Sequence, residues 1–444
     1  MSSTASNKTS LYVILPLFAI VLILRVDPTS LFSYTYTLLV FFLFHRLIRE
    51  KDELMRNFMY FHYYLAVAIA LFCIFRYQIP EYLGMTGPEG GIGTDDCRFY
   101  AQLKHGNGIF YPIRISMVRM HSFTKYLLVV YPFELHTPLN IVIFNLTGIC
   151  FLPYYVRKLT YEIFNDQKLA DKAALFTFLC PFTTYYGCIL MRDTMVATLV
   201  VAGIYYYMRR NKIALVAVSL LLMYIRFGSF PYMMLGILLT IRRDMQLAQK
   251  NTVRFTILII VLVALFNIFY EYIQYYSNGK LGDSVIRNTG AYFEGSTISK
   301  IMSLPFPVNV ALSTFFFMVN PMLGWIGKVG NIYLMSSFFK SLLNGAFFLF
   351  LWPFIFNAIF SSINYWKNAT LQFLIMLMFG FCAVLGSIDL QIRHKTIVFP
   401  ILCMVAAYGM VRYDKHAKIT STLLGMVMLI IQLVFFIVKI SSKF

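Results

Sequence analysis

Long apolar runs separated by short polar turns make up most of the chain. A run near twenty residues crosses the ~30 Å hydrocarbon core as a helix, and shorter runs reach across when Tyr, Trp or snorkelling Arg extend their ends. That rule places spans near 11–24, 30–44, 57–75, 137–156, 173–190, 194–208, 213–228, 230–241, 255–270, 341–360, 369–387, 396–411 and 420–438. The pattern predicts an all-α fold, a polytopic transmembrane helix bundle of about 11–13 spans with two large extracytoplasmic loops. Residues 1–444 then form a single integral membrane domain. Met1–Ser10 is polar, and no small-residue cleavage site follows the next apolar stretch, so that stretch reads as a retained helix rather than a signal peptide.

Residues 76–136 and 271–340 break the alternation, each far longer than a turn between helices needs to be. Long loops in a compact membrane protein usually carry function. The first contains Gly84, Gly87, Pro88, Gly90, Gly91 and Gly93, an irregular backbone that delivers Asp95 and Asp96 to the start of a short helix expected over Asp96–Lys104. Thr94 or Asp95 is suited to cap that helix. The second holds Tyr272, Tyr275 and Tyr276, then a segment over 303–325 that reads as a partly embedded amphipathic or re-entrant element. Its aromatic residues suit stacking on sugars or isoprenoid chains, and equally an interfacial belt.

Composition supports the membrane assignment: 59% of residues are hydrophobic, 13% charged, and the mean hydropathy is +0.70. A net charge of +19 would suggest nucleic acid in a water-soluble protein. Here the basic residues cluster between apolar runs, at Arg46, Arg49, Lys51 and Arg56, at Arg157 and Lys158, at Arg209, Arg210 and Lys212, at Arg242 and Arg243, and at Arg412, Lys415 and Lys418. That is the positive-inside pattern of cytoplasmic loops, and no basic stripe interleaved with exposed aromatics speaks for nucleic acid. With the N-terminus cytoplasmic, every cluster falls inside and both long loops fall outside. The seven cysteines show no CxxC pair and no zinc-ligand spacing, so a disulfide framework is not expected.

Candidate chemistry gathers on the outward side. Arg192 and Asp193 occupy a short turn, Arg226 ends an apolar run, and Arg393, His394 and Lys395 form another turn. Singly, each has a bland reading: helix-capping acids at Asp95 and Asp96, a local ion pair at Arg192 and Asp193, a snorkelling Arg226, headgroup contacts at Arg393 and Lys395, and a surface His394. Ionisable groups at the edge of a span are costly and usually paired or functional. Emergence of all of them on one face suits a substrate with an anionic phosphate or diphosphate and a hydroxyl-rich partner. Asp95 and Asp96 are the candidate catalytic acids, because a carboxylate can accept a proton from an attacking sugar hydroxyl or hold a divalent cation. Arg192, Asp193, Arg226, Arg393, His394 and Lys395 are the candidate substrate-binding residues, with guanidinium forks for phosphate.

The order Gly-Thr-Asp95-Asp96-x-x-x-Tyr100, then Met191-Arg192-Asp193, then Gln391-Ile392-Arg393-His394-Lys395-x-x-x-Phe399-Pro400 resembles GT-C-type membrane glycosyltransferases, which use polyprenyl- or dolichyl-phosphate-linked sugars. The resemblance implies a bacterial inner-membrane enzyme with a periplasmic active face, Asp95 or Asp96 as its catalytic acidic residue, and Arg192, Arg226 and Arg393 on the lipid-linked phosphate. Two departures are visible: the acidic loop follows the third span rather than the first, and no large soluble domain trails the last helix. The layout also resembles repeat-unit polymerases of O-antigen and capsule assembly. Expected partners are a polyprenyl-phosphate-linked sugar, a glycan acceptor, membrane lipids and polysaccharide-assembly proteins. A transporter or lipid-linked oligosaccharide flippase is the competing class. Span interiors nearly free of charge and the absence of an internal repeat weigh against it. A non-catalytic membrane component is the third.

Overall fold

The computed structural model describes residues 3–48, 51–78, 95–106, 121–131, 133–248, 253, 256–257, 304, 308–319, 328–329, 332–365, 368–388, 392–412 and 415–441. The described fold is a bundle of α-helices: α1 Ser3–Val26, α2 Ser30–Ile48, α3 Lys51–Gln78, α4 Asp95–Gly106, α5 Ser122–Val130, α6 Pro138–Cys150, α7 Leu152–Phe164, α8 Gln167–Leu179, α9 Pro181–Gly187, α10 Asp193–Met208, α11 Lys212–Arg226, α12 Phe230–Leu247, α13 Val308–Val319, α14 Asn344–Asn364, α15 Ala369–Ile388, α16 Phe399–Val411 and α17 Lys415–Ser441. A π-helical turn, Phe338–Leu343, leads into α14, and a short antiparallel ladder pairs Lys328 with Tyr333 and Val329 with Ile332. Most of the expected span over 255–270, Tyr272, Tyr275 and Tyr276, and most of 271–340 lie outside the described residues.

Among the described residues, four helical runs are long and apolar enough to cross a membrane, Glu53–Gln78, Pro138–Phe164, Lys212–Leu247 and Met335–Asn364. Tyr12–Val26, Ala369–Leu385, Phe399–Val411 and Ile419–Val434 are shorter apolar helices. Burial separates their roles. The most apolar window of Pro138–Phe164 is 94% buried inside the protein and that of Lys212–Leu247 only 17%. A helix apolar on all sides belongs in a core, and one with an exposed apolar stripe belongs against lipid. Ile213, Val216, Leu220 and Met223 on α11 form such a stripe at helical spacing, as do Leu423, Met426, Ile430 and Val434 on α17.

The run from Lys212 to Leu247 is too long to cross once, and its interruption is visible at Arg226, whose backbone is extended at φ −158° and ψ 91°. A Cβ placed on Gly203 of α10 would meet Met233 of α12 and Val218 of α11, so both helices lie along α10. Because Arg226 also lies beside Asp193, α11 runs antiparallel to α10 and α12 returns alongside it. This matches the two spans expected over 213–228 and 230–241. The run expected over 173–190 is broken as well, because Pro181 cannot continue α8 and starts α9 with Cys180 extended before it.

Turn chemistry sets the remaining corners. Asn165 adopts a left-handed conformation (φ 49°) to end α7, and Asp166 accepts the Leu169 amide at 3.1 Å to start α8. At one end of the bundle, Arg157 pairs with Glu53 and with Asp171 (Nε to Oδ1, 2.6 Å), Arg56 reaches the same Asp171 at 2.8 Å, and Arg412 reaches Asp166 at 3.4 Å. Arg209 with Glu162 closes the far end of α10. The basic clusters thus sit at the opposite end of α10 from Asp193, about 24 Å away by helical rise.

Candidate active site

The site begins with a backbone turn. Asn145 on α6 donates from Nδ2 to the Ile189 carbonyl at 3.2 Å and to the Met191 carbonyl at 3.0 Å, which fixes the chain between α9 and α10. Thr198 donates to the Gly148 carbonyl at 2.5 Å, and a Cβ on Gly148 would come within 3.0 Å of Met195, so α6 and α10 approach closely. Arg192 and Asp193 are therefore held at the N-terminus of α10, where the helix dipole favours the carboxylate.

Three segments distant in sequence converge on that point. Arg226 donates from Nη1 to Asp193 Oδ1 at 2.9 Å, and its Nη2 lies 2.6 Å from His394 Nε2. That nitrogen is 3.8 Å from Asp193 Oδ1. Arg393, on the 3-10 turn Ile392–Ile397 between α15 and α16, pairs with Asp95 at the start of α4. Asp193 and His394 are buried, at 3% and 5% exposure, and among such groups an ion pair without its partner is strongly destabilising. Burial pulls the Arg393 guanidinium down, but Asp193 and Asp95 outweigh it and hold it above its ordinary value.

Arg192 differs from the other two arginines. Its Nη1 lies 2.6 Å from His121 Nε2 and 3.4 Å from the Ile225 carbonyl, and among the described residues no carboxylate stands within ion-pairing distance of it. Burial first, then repulsion from Arg226, lowers its pKa to about 10. Among the described residues, three guanidinium groups thus face two carboxylates, and Arg192 is the one with neither of them as its ion-pair partner.

Six of the eight residues picked from sequence come together here: Asp95, Arg192, Asp193, Arg226, Arg393 and His394. Asp96 and Lys395 do not. Asp96 is buried beside an apolar crevice lined by Leu71, Phe75, Leu139 and Val142, because one residue of helix turns it some 100° from Asp95. Lys395 is buried the other way, its Nζ 3.3 Å from the Met318 carbonyl of α13 and 5.0 Å from the Phe399 ring centre. Burial pushes its pKa down to about 7. The segment expected to be partly embedded, 303–325, contributes the described helix α13, which packs on α15; its flanks lie outside the described residues.

Sequence reasoning missed His121. It caps α5, its Nδ1 accepting the Phe123 amide at 3.1 Å, and it stands 5.2 Å from the Phe99 ring of α4. The one local signal was a side chain able to cap, just ahead of an apolar helix. Burial and the Arg192 charge push its pKa down to about 4 from the usual 6.5. Between those values the unfolded chain binds a proton that the folded one refuses, so stability falls as pH drops through that window. Replacing His121 with Gln removes this proton linkage. The stability lost on acidifying from pH 6.5 to pH 4 should therefore be smaller in the variant than in the parent, measured by unfolding in detergent.

Asp95 and Asp193 are each engaged by a guanidinium, and among the described residues no three His, Cys, Asp or Glu side chains gather as a metal site would require.

No protein-family model and no curated protein sequence matches the chain. Among solved structures it is similar to the archaeal oligosaccharyltransferase AglB from Archaeoglobus fulgidus, in complex with an inhibitory peptide and a dolichol-phosphate. The TM-score is 0.39 and the identity 13%, over 79% of this chain and 50% of that one. The chain therefore spans about half the length of that structure. A likeness of that size carries no information on activity.

Proposed function

We propose that the chain is a membrane glycosyltransferase that moves a sugar or oligosaccharide from a polyprenyl-(di)phosphate-linked donor to a glycan or glycolipid acceptor, in surface polysaccharide assembly. The repeat-unit polymerase of O-antigen or capsule is its finer form. The observation that carries this reading is Arg192, a half-buried guanidinium without an acid partner among the described residues, beside two arginines that have one. A guanidinium in a partly dehydrated site that no described carboxylate engages is suited to an anion that arrives with the substrate.

In the transfer, the acceptor hydroxyl oxygen bonds to the anomeric carbon while the bond from that carbon to the phosphate oxygen breaks. The electron pair of that bond leaves on the phosphate, and the hydroxyl proton passes to the Asp95 carboxylate. Arg192 and Arg393 face the growing phosphate charge, and Asp193 with His394 positions Arg226. Engagement of both acids by guanidinium groups favours arginine over a divalent cation as the counter-charge. The basic clusters at the opposite end of α10 support an outward-facing site under the positive-inside rule, which in a bacterial inner membrane is the periplasmic face. Membrane lipids and polysaccharide-assembly proteins are the partners this implies.

Asp95→Asn and Arg192→Gln, each introduced into a cell whose surface glycan depends on the protein, should lower transfer about a hundredfold or more at normal protein abundance. Glycan unchanged on a gel in both variants would sink the reading. Lipid-linked units stranded on the cytoplasmic leaflet would point to a flippase instead.

A further inference from the structure

His121 sits in a hydrogen-bonding contradiction. A neutral imidazole offers one lone pair and one N–H. Two donors nevertheless aim at the ring, the Phe123 amide at 3.1 Å from Nδ1 and Arg192 Nη1 at 2.6 Å from Nε2. Whichever tautomer is chosen, one contact sets N–H against N–H, and a protonated ring makes both contacts repulsive. The Phe123 amide is fixed by the start of α5, and Gln102 Oε1 holds the same turn by accepting the His121 amide at 3.2 Å and the Thr124 hydroxyl at 3.0 Å. Nδ1 therefore keeps the acceptor role, and the proton belongs on Nε2, facing Arg192.

We propose that His121 Nε2–H and Arg192 Nη1–H are two donors of one anion seat, built to take a single phosphoryl oxygen between them. An anionic oxygen has lone pairs for both, so its arrival turns a repulsive contact into two hydrogen bonds, both of them charge-assisted. A neutral second donor also suits a site where Arg226 and Arg393 already crowd the positive charge. The ligand class is a phosphate monoester or diphosphate; its identity as a glycosyl donor rests on the function proposed above, whereas the seat rests on the two donors alone.

The test uses the full chain in detergent, with farnesyl phosphate and inorganic phosphate as probes. His121→Leu removes the Nε2 donor and should weaken farnesyl phosphate about tenfold or more, while His121→Gln, whose amide can donate from a similar position, should stay within about threefold of the parent. A parallel loss with inorganic phosphate assigns the contact to the phosphoryl group from either source. A loss with farnesyl phosphate alone assigns it to the lipid-linked form. Unfolding midpoints near the parent's show that the variants are folded, and His121→Met, which equally lacks a donor, takes the place of the Leu variant if that one is not. Equal binding by the parent, Leu and Gln proteins overturns the seat, as does a parent that binds neither probe. If His121-dependent phosphate binding persists while Asp95→Asn and Arg192→Gln both leave the surface glycan intact, the seat stands and the transferase reading falls.

Discussion

Asp193→Ala is expected to cost about 3–5 kcal/mol of stability, because it removes a buried carboxylate that pairs with the largely buried Arg226 guanidinium. Asp193 is 3% exposed and the Arg226 side chain 13%, so water can do little to screen the charge left behind. The damage extends to His394, whose Nε2 lies 2.6 Å from Arg226 Nη2, and to Arg192, close enough for repulsion by Arg226 to depress its pKa. The pair Asp193→Leu with Arg226→Met removes both charges at similar volume and should restore most of that stability, since an apolar pair often replaces a buried ion pair without loss. Substrate binding should not return with it. Unfolding in detergent measures the first, and farnesyl phosphate binding the second. A double variant as unstable as the single one would deny that the ion pair is the source. A double variant that binds like the parent would deny that the cluster serves the substrate.

The hydrophobic pattern made the helices legible, because burial in lipid or protein demands long apolar runs whatever their order. It also exposed Arg226 as an end of helix, since an apolar run stopped there. The partners were not legible. Arg393 and Asp95 are 298 residues apart, and only the packing of the 3-10 turn beside α10 sets them together. The choice between Asp95 and Asp96 likewise depends on which way α4 faces, a property of its contacts rather than of its sequence. Lys395 looked equivalent to Arg393 in a polar turn, yet two residues of 3-10 helix point it into the protein. His121 gave only a capping signal, because its role comes from Arg192, 71 residues away.

Gly409→Ala is the second change expected to be severe, and its reach extends to the site. A Cβ on Gly409 would lie 1.9 Å from the Phe354 carbonyl oxygen and 3.2 Å from the Ala358 amide nitrogen, both backbone atoms of α14. Backbone cannot rotate aside as a side chain does, so α14 and α16 must separate. That also stretches the bond from Asn357 Nδ2 to the Gly409 carbonyl, 2.9 Å long. Overpacking together with the weakened bond should cost at least about 3 kcal/mol. Gly380→Ala supplies the comparison: its Cβ would meet Leu235 Cδ2 at 2.8 Å, the far end of a flexible side chain, and should cost far less. Equal unfolding midpoints for the two variants would contradict this ranking. Because α16 begins at Phe399, just after the turn that carries Arg393 and His394, a displaced α16 shifts those side chains against Asp95 and Arg226. The Gly409 variant should therefore lose phosphate binding under conditions where it is still folded, whereas the Gly380 variant keeps it.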